Sequence, residues 1–282
     1  MSRSDYSDWI GRAVTRSDTI SLFPARALAA LLQRPQSPEL GAELSPGWQW
    51  LYFLDTPRPD GTGEDGHPRR GGFLPPIALE RRMWAAGEFE VTHPLIIGEA
   101  AEKTSAVQSI TPKSGASGEM IFVVLEHITR QGGRDCIREL QTLVYRAMMP
   151  TAPSPRAAGS NEPGTPEWSA DAATDPVTLF RYSALTFNGH RIHYDSDYAR
   201  NVEHYPGLVV QGPLLATLLL NHVQTNRPDA PSGFRFRAVS PAFSGDSLTL
   251  HGRDMDGKTE LWAATPQGVS MLANATFKGR AS

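Results

Sequence analysis

The chain holds a single cysteine, Cys136, which excludes any disulfide within it. Its place in the alternating run Asp135-Cys136-Ile137-Arg138, with no catalytic partner beside it, reads as a structural thiol on a strand. Long apolar runs are also missing: nothing approaches the roughly 18 residues that cross a bilayer, and MSRSDYSDWIGR lacks the apolar core of an export signal. The expectation is a soluble, cytoplasmic protein that does not engage a membrane. Charge of one sign is lacking too. Lysine and arginine total 27 against 30 acids, so no broad cationic field is present to hold nucleic acid or an anionic surface. Metal-ligand spacing is absent, since His190 and His193 stand in one turn with no cysteine nearby, and no glycine-rich phosphate fingerprint is found. No metal and no redox cofactor are expected.

What is present suffices for two domains: 282 residues, 40% of them apolar. Residues 5–34 show a helical pattern in which Leu22, Leu28, Leu31 and Leu32 share a face and Asp18 or Ser21 can cap the start. After the breaks at Pro35, Pro38 and Pro46, Trp48 to Leu54 form an aromatic run that reads as core, with one indole available to line a ligand tunnel. Thr56 to Pro76 is crowded with glycine and proline. A loop of that length is either a solvated flap or a lid whose Arg69 and Arg70 meet phosphate or carboxylate. From Met83 to Arg146, strands alternate with turn signals as in an antiparallel meander. Residues 149–175, rich in Pro, Ala, Ser and Gly, read as a linker with Trp168 as an anchor. The expected division is therefore 1–148, linker 149–175, and 176–282. His93-Pro94 to Gly98-Glu99 matches Ser240-Pro241 to Gly245-Asp246, each followed by alternating strands, which points to a duplication.

The chemistry concentrates in residues 180–220. Phe180 to Phe187 reads as a β-prone run. Next come the polar turn Asn188-Gly189-His190-Arg191, then Ile192-His193-Tyr194-Asp195, and finally an apolar helix opened by Gly212-Pro213. Proline suits a first helical turn because its missing N–H is not needed there, and glycine lets a ligand approach the positive end of the helix dipole. A loop histidine that titrates near neutrality, beside free N–H groups, fits an acyl-thioester site.

This order of parts resembles the hydratase 2 motif of the MaoC-like dehydratases, hotdog-fold enzymes that act on enoyl thioesters. Their pattern Gly-Asp-x-Asn-Pro-x-His-x-Asp, followed by His-Gly at the central helix, sets its histidine on His193 and its last aspartate on Asp195. Its His-Gly falls on Gln211-Gly212. Three positions depart: the catalytic Asp is Asn188, the Asn is His190 and the Pro is Arg191. LTFNGHRIHYD, DGHPRRGGFLPP and ERRMWAAGEF are similar to the mesaconyl-CoA and itaconyl-CoA hydratases.

The resemblance implies an α+β tandem hotdog fold, with antiparallel sheets wrapped around a central helix and a shortened first helix that leaves room for the acyl group. It implies a hydro-lyase that adds water to a short branched dicarboxylic enoyl-CoA, with CoA entering only as part of the substrate. His193 is then the general acid/base, and the Gly212 amide binds the thioester oxygen. Asn188 orients water, or Asp195 or His190 takes the second role. Arg191, Arg70, Arg81, Arg82 and His190 are the expected substrate contacts, the arginines pairing with the acyl carboxylate or the CoA phosphates. The partner is an acyl-CoA thioester, with a homodimer allowed. Two alternatives stay open, a hotdog acyl-CoA thioesterase and a non-catalytic acyl-thioester-binding subunit.

Overall fold

The computed structural model describes residues 6–115, 118–148 and 163–278. Its first half runs through β1 (Ala13–Thr19), α1 (Leu22–Leu31), β2 (Arg81–Val91), β3 (Ala100–Gly115), β4 (Gly118–Gln131) and β5 (Arg134–Arg146). The second half opens with β6 (Trp168–Ala172), α2 (Pro176–Leu185), α3 (Ser196–Asn201) and α4 (Gly212–Asn226). It closes with β7 (Gly233–Ala238), β8 (Leu248–Met255), β9 (Lys258–Thr265) and β10 (Gly268–Thr276). The strands form one ten-stranded sheet, β1-β3-β4-β5-β2-β7-β10-β9-β8-β6, antiparallel throughout. Counted inward from either edge, each half places its strands as first, third, fourth, fifth and second. The halves join at β2 and β7, from Ala86 opposite Arg237 to Glu90 opposite Gly233.

The repeated Pro-to-Gly segments occupy equivalent turns, closed by Gly98 at φ 100° and Gly245 at φ 91°, where glycine avoids a Cβ clash. Each turn accepts a hydrogen bond from the segment leading to its half's central helix, Leu44 N–H to Leu95 O and Val210 N–H to Ala242 O. That register makes Pro46 the counterpart of Gly212. Beyond Gly212 runs the 15-residue α4, whereas beyond Pro46 the chain makes the short 3-10 turn Trp48–Leu51.

Helix α4 buries Leu214, Leu215, Leu219, Leu220 and Val223 against Leu248, Leu250, Leu261, Ala263 and Met271 of the sheet. Each such large side chain contributes about 1.5–3 kcal/mol through removal from water. Trp48, Leu51, Tyr52 and Phe53 extend the same core into the first half, as the aromatic run implied. Cys136 is a buried thiol whose pKa is pushed up by burial, in keeping with a structural role. Among the described residues no helix is long and apolar enough to cross a membrane.

Three local expectations need correction. The β-prone run Phe180 to Phe187 lies mostly within helix α2, because Asp175 caps the helix and Pro176 takes its first position. The Asp175 carboxylate accepts the N–H groups of Val177 and Thr178 at 2.9 and 3.2 Å. Leu179, Tyr182 and Ser183 then face inward at helical spacing. The linker expectation fails at its C-terminal end: Trp168–Ala172 is strand β6, paired with β8, and residues 149–162 lie outside the described residues. Alternation in so short an edge strand is masked by small polar residues. The helical reading of residues 5–34 holds only from Leu22, since Asp18 sits in β1, where its side chain accepts the N–H of Phe53.

Candidate active site

A cavity of about 700 Å³ opens between the halves. The second half lines it with Asn188, His190, His193, Val209 and Gly212, and the first with Trp50, His67, Arg82, Trp84, Lys103 and Glu139. The shortened first helix leaves this space, and Trp50 is the indole that lines it. The Trp50 ring meets Trp84, Phe89 and Phe236 edge-on at 5.3–6.0 Å, and its N–H donates to Glu139 Oε1 at 2.8 Å.

Helix α2 aims the motif loop. Past its C-cap the N–H of Asn188 donates to Ser183 O at 2.9 Å and that of Phe187 to Ala184 O at 3.4 Å, the paired bonds of a Schellman turn. Phe187 takes the left-handed position, φ 48°, that such a turn requires and that glycine usually fills. Buried Gln211 fastens the start of α4 to the same helix, its Nε2 donating to Leu179 O and Ser183 Oγ at 2.9 Å. Among the described residues no side chain caps α4, and Gly212, at the positive end of that helix, lines the cavity.

His193 closes a short 3-10 turn, Arg191–His193, and is buried. Its Nδ1 lies 2.7 Å from Val209 O; a backbone carbonyl only accepts, so Nδ1 carries the proton and Nε2 keeps a lone pair. Burial, reinforced by repulsion from His190, lowers the His193 pKa to about 3 and keeps the ring neutral. The His190 ring stands 5.3 Å from that of His193 and 4.0 Å from that of His67. Behind it the buried Glu203 approaches His190 Nε2 at 3.7 Å and accepts Arg81 Nε at 3.0 Å.

His67 and Asp65, supplied by the Gly/Pro loop, are site residues that the sequence reading missed. Asp65 Oδ2 is 3.0 Å from His67 Nδ1. Burial would raise the Asp65 carboxyl, but the hydrogen bonds and charge of His67 outweigh it and hold it well below the usual range. Burial lowers His67 to about 3 despite its bond to Asp65. The available signal was the Asp-Gly-His spacing in EDGHPRR, which sets a carboxylate and an imidazole on one tight turn. Asp65, His67 and His190 also bring three potential ligand atoms within 4.8 Å of one another, a grouping that could hold a metal ion. It arises by folding between distant segments, so linear spacing does not show it.

Several expected site residues lie elsewhere. Asp195 is outside the cavity lining: it caps α3, accepting Tyr198 N–H at 3.0 Å, and pairs with Arg191 at 2.8 Å. Arg191 is consumed by that pair, by Glu64 O at 3.1 Å and by the face of Tyr198 at 4.1 Å. Arg70 donates to the carbonyls of Ile77, Leu79 and Glu80, tying its own loop. Arg81 is buried against Glu203 and supports His190 from behind. In each case a nearby acceptor fixed in the fold takes the fork that sequence reasoning left for substrate. Of the four arginines named as substrate contacts, Arg82 lines the cavity, beside His67 and Tyr145. Arg69, from the lid reading, lines it as well.

Residues 47–244 match the family model of hydroxyacyl-thioester dehydratase type 2. The chain is 42% identical over 279 residues to the mesaconyl-C(4)-CoA hydratase of Chloroflexus aurantiacus, covering 97% of this chain and 98% of that one. Its fold is similar to a MaoC-like dehydratase from Phytophthora capsici, with a TM-score of 0.68 at 14% identity over 98% of this chain and 100% of the other. It is also similar to a Mycobacterium tuberculosis protein described as a double hotdog, with a TM-score of 0.55 at 12% identity over 95% and 96%. The tandem hotdog sheet, the motif loop ending in His193 and the match across both halves place the chain in the hydroxyacyl-thioester dehydratase type 2 family, among the MaoC-like hydro-lyases of acyl thioesters.

Proposed function

We propose that this CoA-thioester hydratase adds water reversibly to a short, branched enoyl-CoA bearing a second carboxylate, of the mesaconyl-CoA or itaconyl-CoA type, with neither metal nor redox cofactor. The observation that carries the reading is the state of His193, a neutral imidazole whose Nδ1–H is committed to Val209 O and whose Nε2 is left as a base in a cavity that the uncapped start of α4 also lines. For the conjugated ester, Nε2 takes a proton from water as the water oxygen bonds to the β-carbon. The π electrons move to the thioester oxygen, where the Gly212 amide meets the enolate, and His193 returns the proton to the α-carbon. A positioned acid/base is worth about 10²- to 10⁴-fold in rate, and a fixed oxyanion donor about 3–4 kcal/mol.

The second carboxylate is supported by the full-length likeness to a hydratase of mesaconyl-C(4)-CoA and by Arg82 on the cavity wall. A carboxylate taken from water needs a paired cation, and arginine offers two parallel donors. Glu139, a carboxylate in the same cavity, is engaged by the Trp50 indole and by Gln49, so it is not poised to attack a thioester.

The test offers the purified protein mesaconyl-, itaconyl-, crotonyl- and long-chain enoyl-CoA, following mass and free thiol. The expected result is the gain of one water, fastest on a dicarboxylic ester, without CoA release and unaffected by a chelator. Release of CoA, binding without turnover, or equal efficiency on crotonyl- or longer enoyl-CoA would overturn the reading.

A further inference from the structure

We infer that His67, held by Asp65, is a second catalytic residue of the hydration: its Nε2 accepts a hydrogen bond from the attacking water while His193 takes the proton of that water's other O–H bond. The inference rests on the hydratase reading above and goes beyond it by naming the group that replaces the missing carboxylate.

The need arises at Asn188. An amide does not exchange a proton near neutral pH, and the Asn188 Oδ1 already accepts the His190 N–H at 3.1 Å. That bond leaves Asn188 Oδ1 a single lone pair, and the cavity offers a second, imidazole acceptor in His67. His67 lines the same cavity as His193 and is joined to it through His190, ring to ring at 4.0 and 5.3 Å. The 3.0 Å contact with Asp65 Oδ2 places the proton on Nδ1 and turns the Nε2 lone pair outward, as a base oriented by a third group. Two imidazole lone pairs facing one water would fix both its hydrogens and leave an oxygen lone pair for the β-carbon.

The loop is fastened where it presents this dyad. Arg191 donates its N–H to Asp65 O at 2.9 Å and its guanidinium to Glu64 O at 3.1 Å. Gly66, at φ 84°, lies so close to Gly189 that a Cβ on it would fall 1.8 Å from the Gly189 carbonyl oxygen. A segment built of glycine and proline is thus locked onto the motif loop of the other half at the site of its only histidine. The groups facing His67 are Asp65, which favours its charged form, and His190 and Arg82, which oppose it.

In the step, one O–H bond of water breaks and its proton passes to His193 Nε2. The oxygen bonds to the β-carbon, and the same proton is delivered to the α-carbon. His67 holds the remaining hydrogen without taking it, so no net charge is left on the enzyme. Asp65 acts through His67 as a positioning residue.

The test measures kcat and KM on the preferred ester for wild type, His67→Gln, His67→Gly with and without added imidazole, and Asp65→Asn. The expected result is a fall in kcat of about 10- to 10²-fold in both His67 variants, from loss of the water's positioning, with KM little changed. Imidazole should partly restore His67→Gly, and Asp65→Asn should lose less than either. If His67→Gly does not fold, His67→Gln, which keeps a donor for Asp65, carries the kcat and KM comparison. A normal kcat, a loss confined to KM, or a kcat that imidazole leaves unmoved would overturn the role. So would wild-type activity that a chelator abolishes and zinc restores, since the dyad would then serve a metal. A wild type that hydrates nothing removes the hydratase reading itself, whereas a hydrating wild type with unaltered variants removes His67 alone.

Discussion

The two halves share one strand order and one turn motif yet spend them differently. In the second half α4 lies across the sheet and fills its inner face with leucine, packing the core behind the motif loop and Gly212. In the first half the same position holds one 3-10 turn. The uncovered space is the cavity, and its wall carries Arg82, Lys103, His127 and Glu139. Under the proposed hydration, duplication allowed a division of labour: one copy keeps the long helix, His193 and the Gly212 start, and the other gives up its helix to make room for the acyl group and lends His67. The two meet again where the loop around Gly66 docks on Gly189.

The largest effect should come from the general acid/base of the second half. His193→Ala should lower kcat by about 10²- to 10⁴-fold while the fold persists. Circular dichroism and steady-state kinetics check this, and a folded variant with near-normal turnover would break the assignment of the acid/base role to His193.

A smaller effect involves both halves. His67, His127 and His193 have pKa values lowered to about 3, 4 and 3, in each case first by burial. Their folded values lie below the ordinary 6.5, so the folded state binds fewer protons than the unfolded chain at mildly acidic pH. Stability is therefore whole above pH 6.5 and falls as pH drops toward 4, by up to about 1.4 kcal/mol per unit for each histidine. Urea midpoints at about pH 7.5 and about pH 5 should show the lower value in acid. Equal midpoints would mean that water reaches these rings in the folded protein.

Much of this architecture is legible in the order of residues alone. The motif histidine, the Gly-Pro helix start, the duplicated turns and the shortened first helix can be read because each depends on residues close in sequence. The remainder depends on acceptors that the fold, not the local sequence, commits, some of them brought from far away. Arg81 and Arg191 look free along the chain, yet Glu203 closes on the first, and Asp195 and Glu64 on the second. Asp65 and His67 look like part of a flap because the docking of their loop on the motif has no linear signature. The run at Phe180 looks like strand because side-chain type outweighs the Asp175-Pro176 cap that starts helix α2.

The division of labour is tested most directly by one ratio: kcat/KM on mesaconyl-CoA over kcat/KM on crotonyl-CoA, in wild type and in Arg82→Gln. Arg82 belongs to the receiving half, and a charge-assisted hydrogen bond to a carboxylate is worth about 1.5–3 kcal/mol, roughly 10- to 10²-fold. The ratio should fall by about that factor in Arg82→Gln. A ratio that does not change, with both esters slowed alike, would contradict the claim that the first half reads the acyl group through Arg82.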